Sequence, residues 1–486
     1  MPGVTTEPVL CVTGAERTTA ALAARLGRHP GLMHEVRLDL LERIDDAALA
    51  LLSSPRVLAT CRGRAEGGGF QGSEEERAQV LDRALARGPG FLDVELSTAK
   101  AVRDALVSHR DPSRTRIVLS HHGTAGTAHP TGSIPTAESL SREPADVLKI
   151  ALPVTDAAEL GALRRVLAGE TRPVVRIGMG DAGLLSRVLP ARFGSPWTYV
   201  AADGGETTAP GQISVSRAVA LRASEEPSLT PLGVIGGPQV LRSNGQRVYN
   251  ALFARARLPF HYLPVVSERP EVLALLEELG FAGVAVTMPA KVVLMGHVQE
   301  IDDAAREVGA LNTVLLRDGR RRGFNTDLPA LRALLPEGRG RTALVLGAGG
   351  AARAALCALR SLGWASQVSA RRAEQAQALE PFGARAIDWD SRGASPFDLL
   401  VNATPVGADG RSDPLPATAS LKDRVVLDMV VTAPHDQTPL IARAQSEGAA
   451  QTIPGVEMWL RQGVLQMKAL TGLSLSIEAL RGVLHG

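Results

Sequence analysis

The sequence lacks most of what would mark a secreted, membrane or nucleic-acid-binding protein. Its 486 residues include three cysteines, Cys11, Cys61 and Cys357. Their odd number and the absence of a Cys-x-x-Cys pair exclude a disulfide framework and a thiolate zinc site, and suit a reducing compartment. No charge of one sign dominates: 53 Lys+Arg stand against 51 Asp+Glu, and aromatics are only 3% of residues, with no basic run interleaved among them. Nucleic acid and membrane surfaces are therefore not expected partners. No apolar run is long enough to span a bilayer, and Met1–Pro8 has neither a basic n-region nor a long apolar core, so a soluble, cytoplasmic protein is expected. Hydrophobic residues are plentiful, at 45%, enough for two or three ordinary domains.

From Pro8 to Asp203, short β-rich runs alternate with longer Ala/Leu/Arg stretches of helical period, the pattern of βα units and a parallel sheet. The runs are Val9–Thr13, Glu35–Leu40, Val57–Cys61, Phe91–Leu96, Arg116–Ser120, Val147–Leu152, Val174–Gly178 and Trp197–Ala201. Eight parallel strands in this length predict a (β/α)8 barrel with its active site at the C-terminal strand ends. An open doubly wound sheet, the alternative, would carry a Gly-rich phosphate turn after an early strand, and none is present.

Lys149 interrupts Val147–Leu152, which otherwise reads as a fully buried strand. An ammonium is costly to desolvate, so the position favours a neutral, nucleophilic amine that can form an imine with a ketone. The structural alternative is a stem on apolar surface with its head in water. Other polar residues fall at the same strand ends. Glu35 and Arg37 share one face of the second strand, Arg62 and Glu66 follow the third, and His122 follows the fifth. Met179 ends the seventh, while Thr208 and Gln212 follow the eighth. Any one of them suits an ordinary salt bridge or hydrogen bond; their convergence points to a site.

Glu35-Val-Arg-Leu-Asp39, Thr60-Cys-Arg-Gly-Arg-Ala-Glu-Gly-Gly68, Ser120-His-His122, Asp146-Val-Leu-Lys149, Gly178-Met-Gly180 with Ser186-Arg187, and Thr208-Ala-Pro-Gly-Gln212 resemble, in order over residues 8–220, the motifs of type I 3-dehydroquinate dehydratase. The resemblance implies a barrel in which Lys149 forms the imine, His122 is the general base and Glu66 orients it. Arg187 would hold the substrate carboxylate, and Glu35, Arg37, Arg62, Met179, Thr208 and Gln212 would bind hydroxyls and complete the site. It implies no metal. Gly123 stands where an aspartate usually follows the histidine, and Thr208 where serine is common.

The polar, proline-punctuated stretch Ala220–Pro231 marks a boundary before Leu232-Gly-Val-Ile-Gly-Gly-Pro238 opens a new strand. Further on, Thr342-Ala-Leu-Val-Leu followed by Gly347, Ala348, Gly349, Gly350, Ala351 and an Ala-rich stretch reads as strand, glycine turn and helix, the context of a dinucleotide fingerprint. The helix N-terminus would face the pyrophosphate. After the next strand, Arg371 and Arg372 stand where an acidic residue would bind the ribose hydroxyls of NAD, which favours NADP.

Gly283-Val-Ala-Val-Thr-Met-Pro-Ala-Lys291, Gly309-Ala-Leu-Asn-Thr313, Gly323-Phe-Asn-Thr-Asp327, Asn402-Ala-Thr-Pro-Val-Gly407 and Gly455-Val-Glu-Met-Trp-Leu-Arg-Gln462 resemble shikimate dehydrogenase. That implies proton handling by Lys291 and Asp327, substrate binding by Ser243, Thr287, Asn312 and Gln462, and cofactor contacts from the glycine turn, the two arginines, Thr404 and Gly455. Three positions depart from the family. Gly245 takes the place of the second of two carboxylate-binding serines, Ala285 that of an asparagine, and Val431 that of a tyrosine. The expected organisation is a dehydratase barrel (1–225), a substrate domain (226–335), a Rossmann NADP domain (336–450) and C-terminal helices returning to the substrate domain (451–486). The expected activities are dehydration of 3-dehydroquinate to 3-dehydroshikimate and its NADPH-dependent reduction to shikimate. The altered positions leave open a quinate-like substrate or a non-catalytic nucleotide-binding module.

Overall fold

The computed structural model describes residues 9–123, 134–432 and 437–485; Met1–Pro8, read above for the absence of a leader, lies outside them. Two compact units are present, Met1–Leu229 with Leu263–Leu279, and Thr230–Tyr262 with Gly280–Gly486.

Eight strands of the first unit are parallel: β1 (Val9–Thr13), β2 (Met33–Arg37), β3 (Val57–Thr60), β4 (Phe91–Glu95), β5 (Arg116–His122), β6 (Val147–Pro153), β7 (Val174–Met179) and β8 (Trp197–Ala201). Their order, 7-6-5-4-3-2-1-8, rolls the sheet so that β8 pairs with β1 along its whole length, Cys11 opposite Tyr199. This is the (β/α)8 barrel, its seam lying between β7 and β8.

The two-residue side-chain period builds the interior in layers. Cys11, Met33, Leu58, Phe91, Val118, Val147, Val175 and Trp197 form an apolar floor. Two residues further along the strands come Thr13, Glu35, Thr60, Asp93, Ser120, Lys149, Ile177 and Tyr199, and the next step reaches Arg37, Glu95, His122 and Met179. The strands thus change from apolar to polar toward their C-terminal ends. The opposite faces, with Val36, Ala59, Leu92 and Val94, pack against helix residues such as Leu22, Leu81 and Leu106.

Two strands depart from the sequence reading by more than one residue. The second strand runs Met33–Arg37, and Leu38–Leu40 forms a 3-10 turn. The Arg37 guanidinium grips Asp39 through Nε at 2.8 Å and Nη2 at 2.6 Å, and Asp39 accepts from Gly69 N at 2.9 Å, so the chain turns where alternation alone suggested continuation. His122 is the last residue of β5, opposite Ala151 of β6, and does not follow the strand.

Two further sheets follow the barrel in sequence. β9 (Thr230–Gly236), β10 (Phe260–Val266), β11 (Gly283–Val286), β12 (Glu300–Ile301), β13 (Thr313–Arg317) and β14 (Arg320–Phe324) make a mixed sheet of order 10-9-11-13-14-12. β15 (Thr342–Leu346), β16 (Ala365–Ser369), β17 (Ala384–Ala386), β18 (Leu399–Asn402), β19 (Val425–Asp428) and β20 (Gln451–Ile453) are parallel in order 17-16-15-18-19-20, the doubly wound dinucleotide-binding topology. Helix Gly350–Ser361 follows β15 and buries its alanine face against that sheet. Helix Gly455–Thr471 returns to the mixed sheet: Gln466 Nε2 donates to Asn312 O and Thr313 Oγ1, both at 2.9 Å, and Arg317 Nη2 to Leu470 O at 2.9 Å.

Candidate active sites

At the polar end of the barrel, Lys149 Nζ donates to Asp93 Oδ2 at 2.9 Å, lies 3.8 Å from Glu35 Oε1 and sits 4.4 Å from the centre of the Tyr199 ring. The lysine is buried, but its surroundings are not the apolar ones that the strand sequence suggested. Asp93 compensates it, and Asp93 is itself held by Ser120 Oγ at 2.6 Å. Burial alone would raise the Glu35 pKa; attraction to Lys149, Arg62 and Arg37 outweighs it and brings the carboxyl to about 2. Thr60 Oγ1 donates to Glu35 at 3.2 Å.

His122 Nδ1 lies 3.0 Å from Glu66 Oε2, which also accepts the His122 backbone N–H at 2.8 Å, while Glu66 Oε1 accepts from Ser97 Oγ at 2.8 Å. The carboxylate thus fixes the ring with Nδ1–H toward itself and leaves Nε2, buried and without a protein partner, as the basic nitrogen. Burial, reinforced by Arg62 and Lys149, drives the imidazole pKa well below its ordinary value, so the ring is neutral at pH 7.

Arg187 is 1% exposed, and its protein contact is one bond from Nη2 to Pro210 O at 3.2 Å, with Nε unpartnered. Burial lowers its pKa to about 10, leaving a cation at neutral pH that suits an anionic ligand. Arg62 is likewise buried, its Nε 3.8 Å from Glu95 Oε1 and neither Nε nor Nη2 hydrogen-bonded. Gln212 Oε1 accepts from Thr208 N at 2.9 Å and Thr208 Oγ1 at 3.2 Å, and Thr208 Oγ1 lies 3.4 Å from Thr13 Oγ1. Arg37 differs, since its Nε and Nη2 donate to Asp39. Together with Asp39 and Thr208 it lines a cavity of about 710 Å³ whose walls include neither Lys149 nor His122.

Sequence reasoning missed Asp93 and Glu95. Both stand on the inner face of the apolar run Phe91–Glu95, and two acids at two-residue spacing in such a strand were the available signal. Glu95 accepts from Gly63 N at 3.0 Å, anchoring the loop that carries Arg62 and Glu66. Burial and the neighbouring Glu66 raise its pKa to about 7. Glu66, Glu95 and His122 bring ligand atoms within 4.8 Å of one another, a donor set that protein partners already occupy in part.

The second unit holds two cavities of about 450 Å³ each that share Met288, Ala403, Thr404 and Pro405. In the first, Lys291 Nζ donates to Asp327 Oδ2 at 2.6 Å, and Asn312 Nδ2 donates to Asp327 Oδ1 at 2.9 Å and approaches Gln462 Oε1 at 3.5 Å. Ser243, Gly245, Ala285, Thr287 and Val431 line the same space. Ser243 Oγ accepts from Gly245 N at 3.3 Å as the cap of helix Asn244–Arg255, which leaves its O–H for a ligand.

The second cavity is walled by Gly347, Ala348, Gly349, Arg371, Arg372, Gln375 and Trp389. Gly347 has φ +110°, and a Cβ there would lie 2.9 Å from Ala403 O. Only glycine fits that turn. A Cβ on Gly350 would press on Lys291 Cδ at 3.2 Å, so the start of the helix lies close to the Lys291/Asp327 pair. Asn402 Oδ1 fixes Thr404 through its N–H at 3.1 Å and hydroxyl at 2.6 Å where the two cavities meet. Ala351 and Gly455 line the first cavity.

Comparison with known proteins finds a family match for each half of the chain. Residues 10–225 match the family model "Type I 3-dehydroquinase", and residues 234–314 match "Shikimate dehydrogenase substrate binding domain". The shikimate dehydrogenase (NADP(+)) of Anaeromyxobacter sp. (strain K) is 40% identical over 257 residues, 49% of this chain and 90% of that protein. The chain belongs to the type I 3-dehydroquinase and shikimate dehydrogenase families, joined end to end. The chloroplastic bifunctional 3-dehydroquinate dehydratase/shikimate dehydrogenase of Arabidopsis thaliana is 28% identical over 470 residues, 90% of this chain and 77% of that one. The solved dehydroquinate dehydratase and shikimate dehydrogenase from S. pombe AroM covers 99% of both chains at 23% identity and a TM-score of 0.43.

In the dehydrogenase half, the three departing positions, Gly245, Ala285 and Val431, all face the cavity that holds Lys291 and Asp327. Among the described residues no helix is long and apolar enough to cross a membrane.

Proposed function

We propose that the barrel converts 3-dehydroquinate to 3-dehydroshikimate through an imine on Lys149, and that the dehydrogenase half reduces the product to shikimate with NADPH. The observation that carries the first step is a buried lysine paired to Asp93, with a neutral His122 held by Glu66 in the same layered site. Lys149 adds to the ketone and water leaves, giving an iminium that accepts the electron pair released when His122 Nε2 removes the adjacent proton. His122, now protonated, returns that proton to the departing hydroxyl, and hydrolysis frees the lysine. In this reading Arg187 holds the carboxylate, and Glu35, Arg62, Met179, Thr208 and Gln212 complete the ring contacts. Arg37 acts through Asp39.

In the second half, NADPH supplies the hydride. Lys291 and Asp327 deliver the proton to the carbonyl oxygen, with Asn312, Thr287, Ser243 and Gln462 orienting the ring. The glycine turn Gly347–Gly350, with Ala351, Thr404 and Gly455, receives the dinucleotide, and Arg371 and Arg372 receive its 2′-phosphate. The working division is residues 1–225, 226–335, 336–450 and 451–486. A cytoplasmic location belongs to the same reading, in keeping with three free, buried cysteines. The uncharged replacements at Gly245, Ala285 and Val431 favour one alternative, a quinate-like acid as the preferred substrate, which side-by-side kinetics would reveal.

Borohydride added with 3-dehydroquinate tests the first step, because it reduces an imine to a stable amine. An adduct located on Lys149 by tandem mass spectrometry is the expected result; an active enzyme with no adduct there rules the imine out.

A further inference from the structure

Loss of the second clamp serine at Gly245 looks like a simple deletion, but the space beside it is occupied. A Cβ on Gly245 would lie 3.0 Å from Tyr262 Cε1 and 3.3 Å from Tyr249 Cε2. In each ring that carbon adjoins the one bearing the hydroxyl, so the two phenols flank the position a serine would fill. Both tyrosines are buried, 1% and 2% exposed, and both line the cavity that holds Lys291 and Asp327. Their placement is rigid. The ring centres lie 4.9 Å apart, and Tyr249 also stacks on Trp459 at 5.9 Å. The Tyr249 hydroxyl abuts helix Gly455–Thr471, since a Cβ on Gly463 would approach it to 2.6 Å.

No hydrogen bond from a described group reaches either phenol. The phenol oxygens are open to the cavity rather than sealed in the packing, and a hydroxyl that faces a ligand cavity can donate to an acceptor bound there. Burial raises both phenol pKa values, and each tyrosine keeps its proton at neutral pH. We infer that the dehydrogenase half binds the substrate carboxylate through the phenols of Tyr262 and Tyr249, with Ser243, in place of the serine pair used by its family. The inference rests on the shikimate-type reading above and names the residues that set carboxylate recognition in this chain. The glycine suits this arrangement, because a serine Cβ would press on both rings at 3.0 and 3.3 Å.

The test is steady-state kinetics of Tyr262→Phe, Tyr249→Phe and the double variant with shikimate and with its primary carboxamide, alongside NADPH affinity. Removing a donor to a charged acceptor should raise KM for the acid about tenfold per phenol, while kcat and NADPH affinity stay within about twofold. With the carboxamide the rise should be much smaller, which a loss of packing would not produce. Gly245→Ser should raise KM for shikimate. The inference is overturned by unchanged KM in both single variants, by equal losses for acid and amide, or by a Gly245→Ser protein that binds shikimate more tightly. Turnover of shikimate by the parent protein is measured first: its absence removes the underlying reading, whereas normal turnover with indifferent tyrosine variants removes this inference alone.

Discussion

In the barrel the reacting groups are matched before substrate arrives, Lys149 to Asp93 and Glu35 and His122 to Glu66, while the Arg187 guanidinium is left for an anion. In the dehydrogenase pocket one ion pair, Lys291 with Asp327, faces walls of Val234, Ala285, Val431, Met458 and two tyrosines. The difference follows from the chemistry. An imine mechanism creates and discharges a cation at one buried nitrogen, so fixed counter-charges must already be in place. A hydride and proton transfer needs one proton-handling pair and a space shared by ring and nicotinamide, and here much of the recognition falls to neutral groups. Single substitutions should accordingly cost the barrel mainly kcat and the dehydrogenase pocket mainly KM.

The largest effect should separate the two halves outright. Lys149→Ala should lower the dehydratase rate by about a thousandfold or more, since no other amine in the layer can form the imine, and leave shikimate oxidation unchanged. Parallel assays of the two reactions check this; a shared loss would mean that the variant disturbs both units and would blur the contrast.

Next comes the cofactor. Arg371→Asp should weaken NADPH binding by about 10- to 100-fold and raise NADH binding relative to it, because a charge-assisted contact to phosphate becomes a repulsion. Fluorescence titration of both nucleotides measures it, and equal affinity for the two in the parent protein would contradict the assignment of the arginines.

The barrel also predicts a pH profile. His122 acts as base only when unprotonated, and its pKa lies below the ordinary 6.5, so dehydratase kcat/KM should hold level from neutrality down past pH 6.5 and fall only on further acidification. Glu66→Gln removes the carboxylate that favours the imidazolium and should shift this limb to still lower pH while reducing the plateau. A limb at or above pH 6.5 in the parent protein would remove His122 from the role.

The smallest effect sharpens the other side of the comparison. Ala285→Asn places a donor in the dehydrogenase cavity and should lower KM for shikimate about two- to tenfold, with kcat and dehydratase activity nearly unchanged. A change in kcat alone would show that position 285 faces the reacting carbon rather than the ring's periphery.

Most of the architecture was legible because the two-residue period writes itself into each strand: polar residues at one end of eight short apolar runs mark one rim of a barrel. The end of β2 was not, since Arg37 and Asp39 form their ion pair by turning the chain, which alternation cannot signal. Lys149 was recognised, but its setting was misjudged. Its counter-ion Asp93 lies 56 positions away on β4, and only the layering of strands brings them together. Gly245 read as a loss for a similar reason: it lies on helix Asn244–Arg255 and Tyr262 on β10, and only the fold sets that ring beside it.

One chain performs consecutive reactions at two separate sites. The most direct test of this offers 3-dehydroquinate as the only carbon substrate and follows NADPH at 340 nm in the parent protein, in Lys149→Ala and in Lys291→Ala. The parent should consume NADPH and neither variant should, with added 3-dehydroshikimate restoring consumption in Lys149→Ala but not in Lys291→Ala. NADPH consumption by Lys149→Ala from 3-dehydroquinate alone, or a parent protein that forms 3-dehydroshikimate yet never oxidises NADPH, would contradict this.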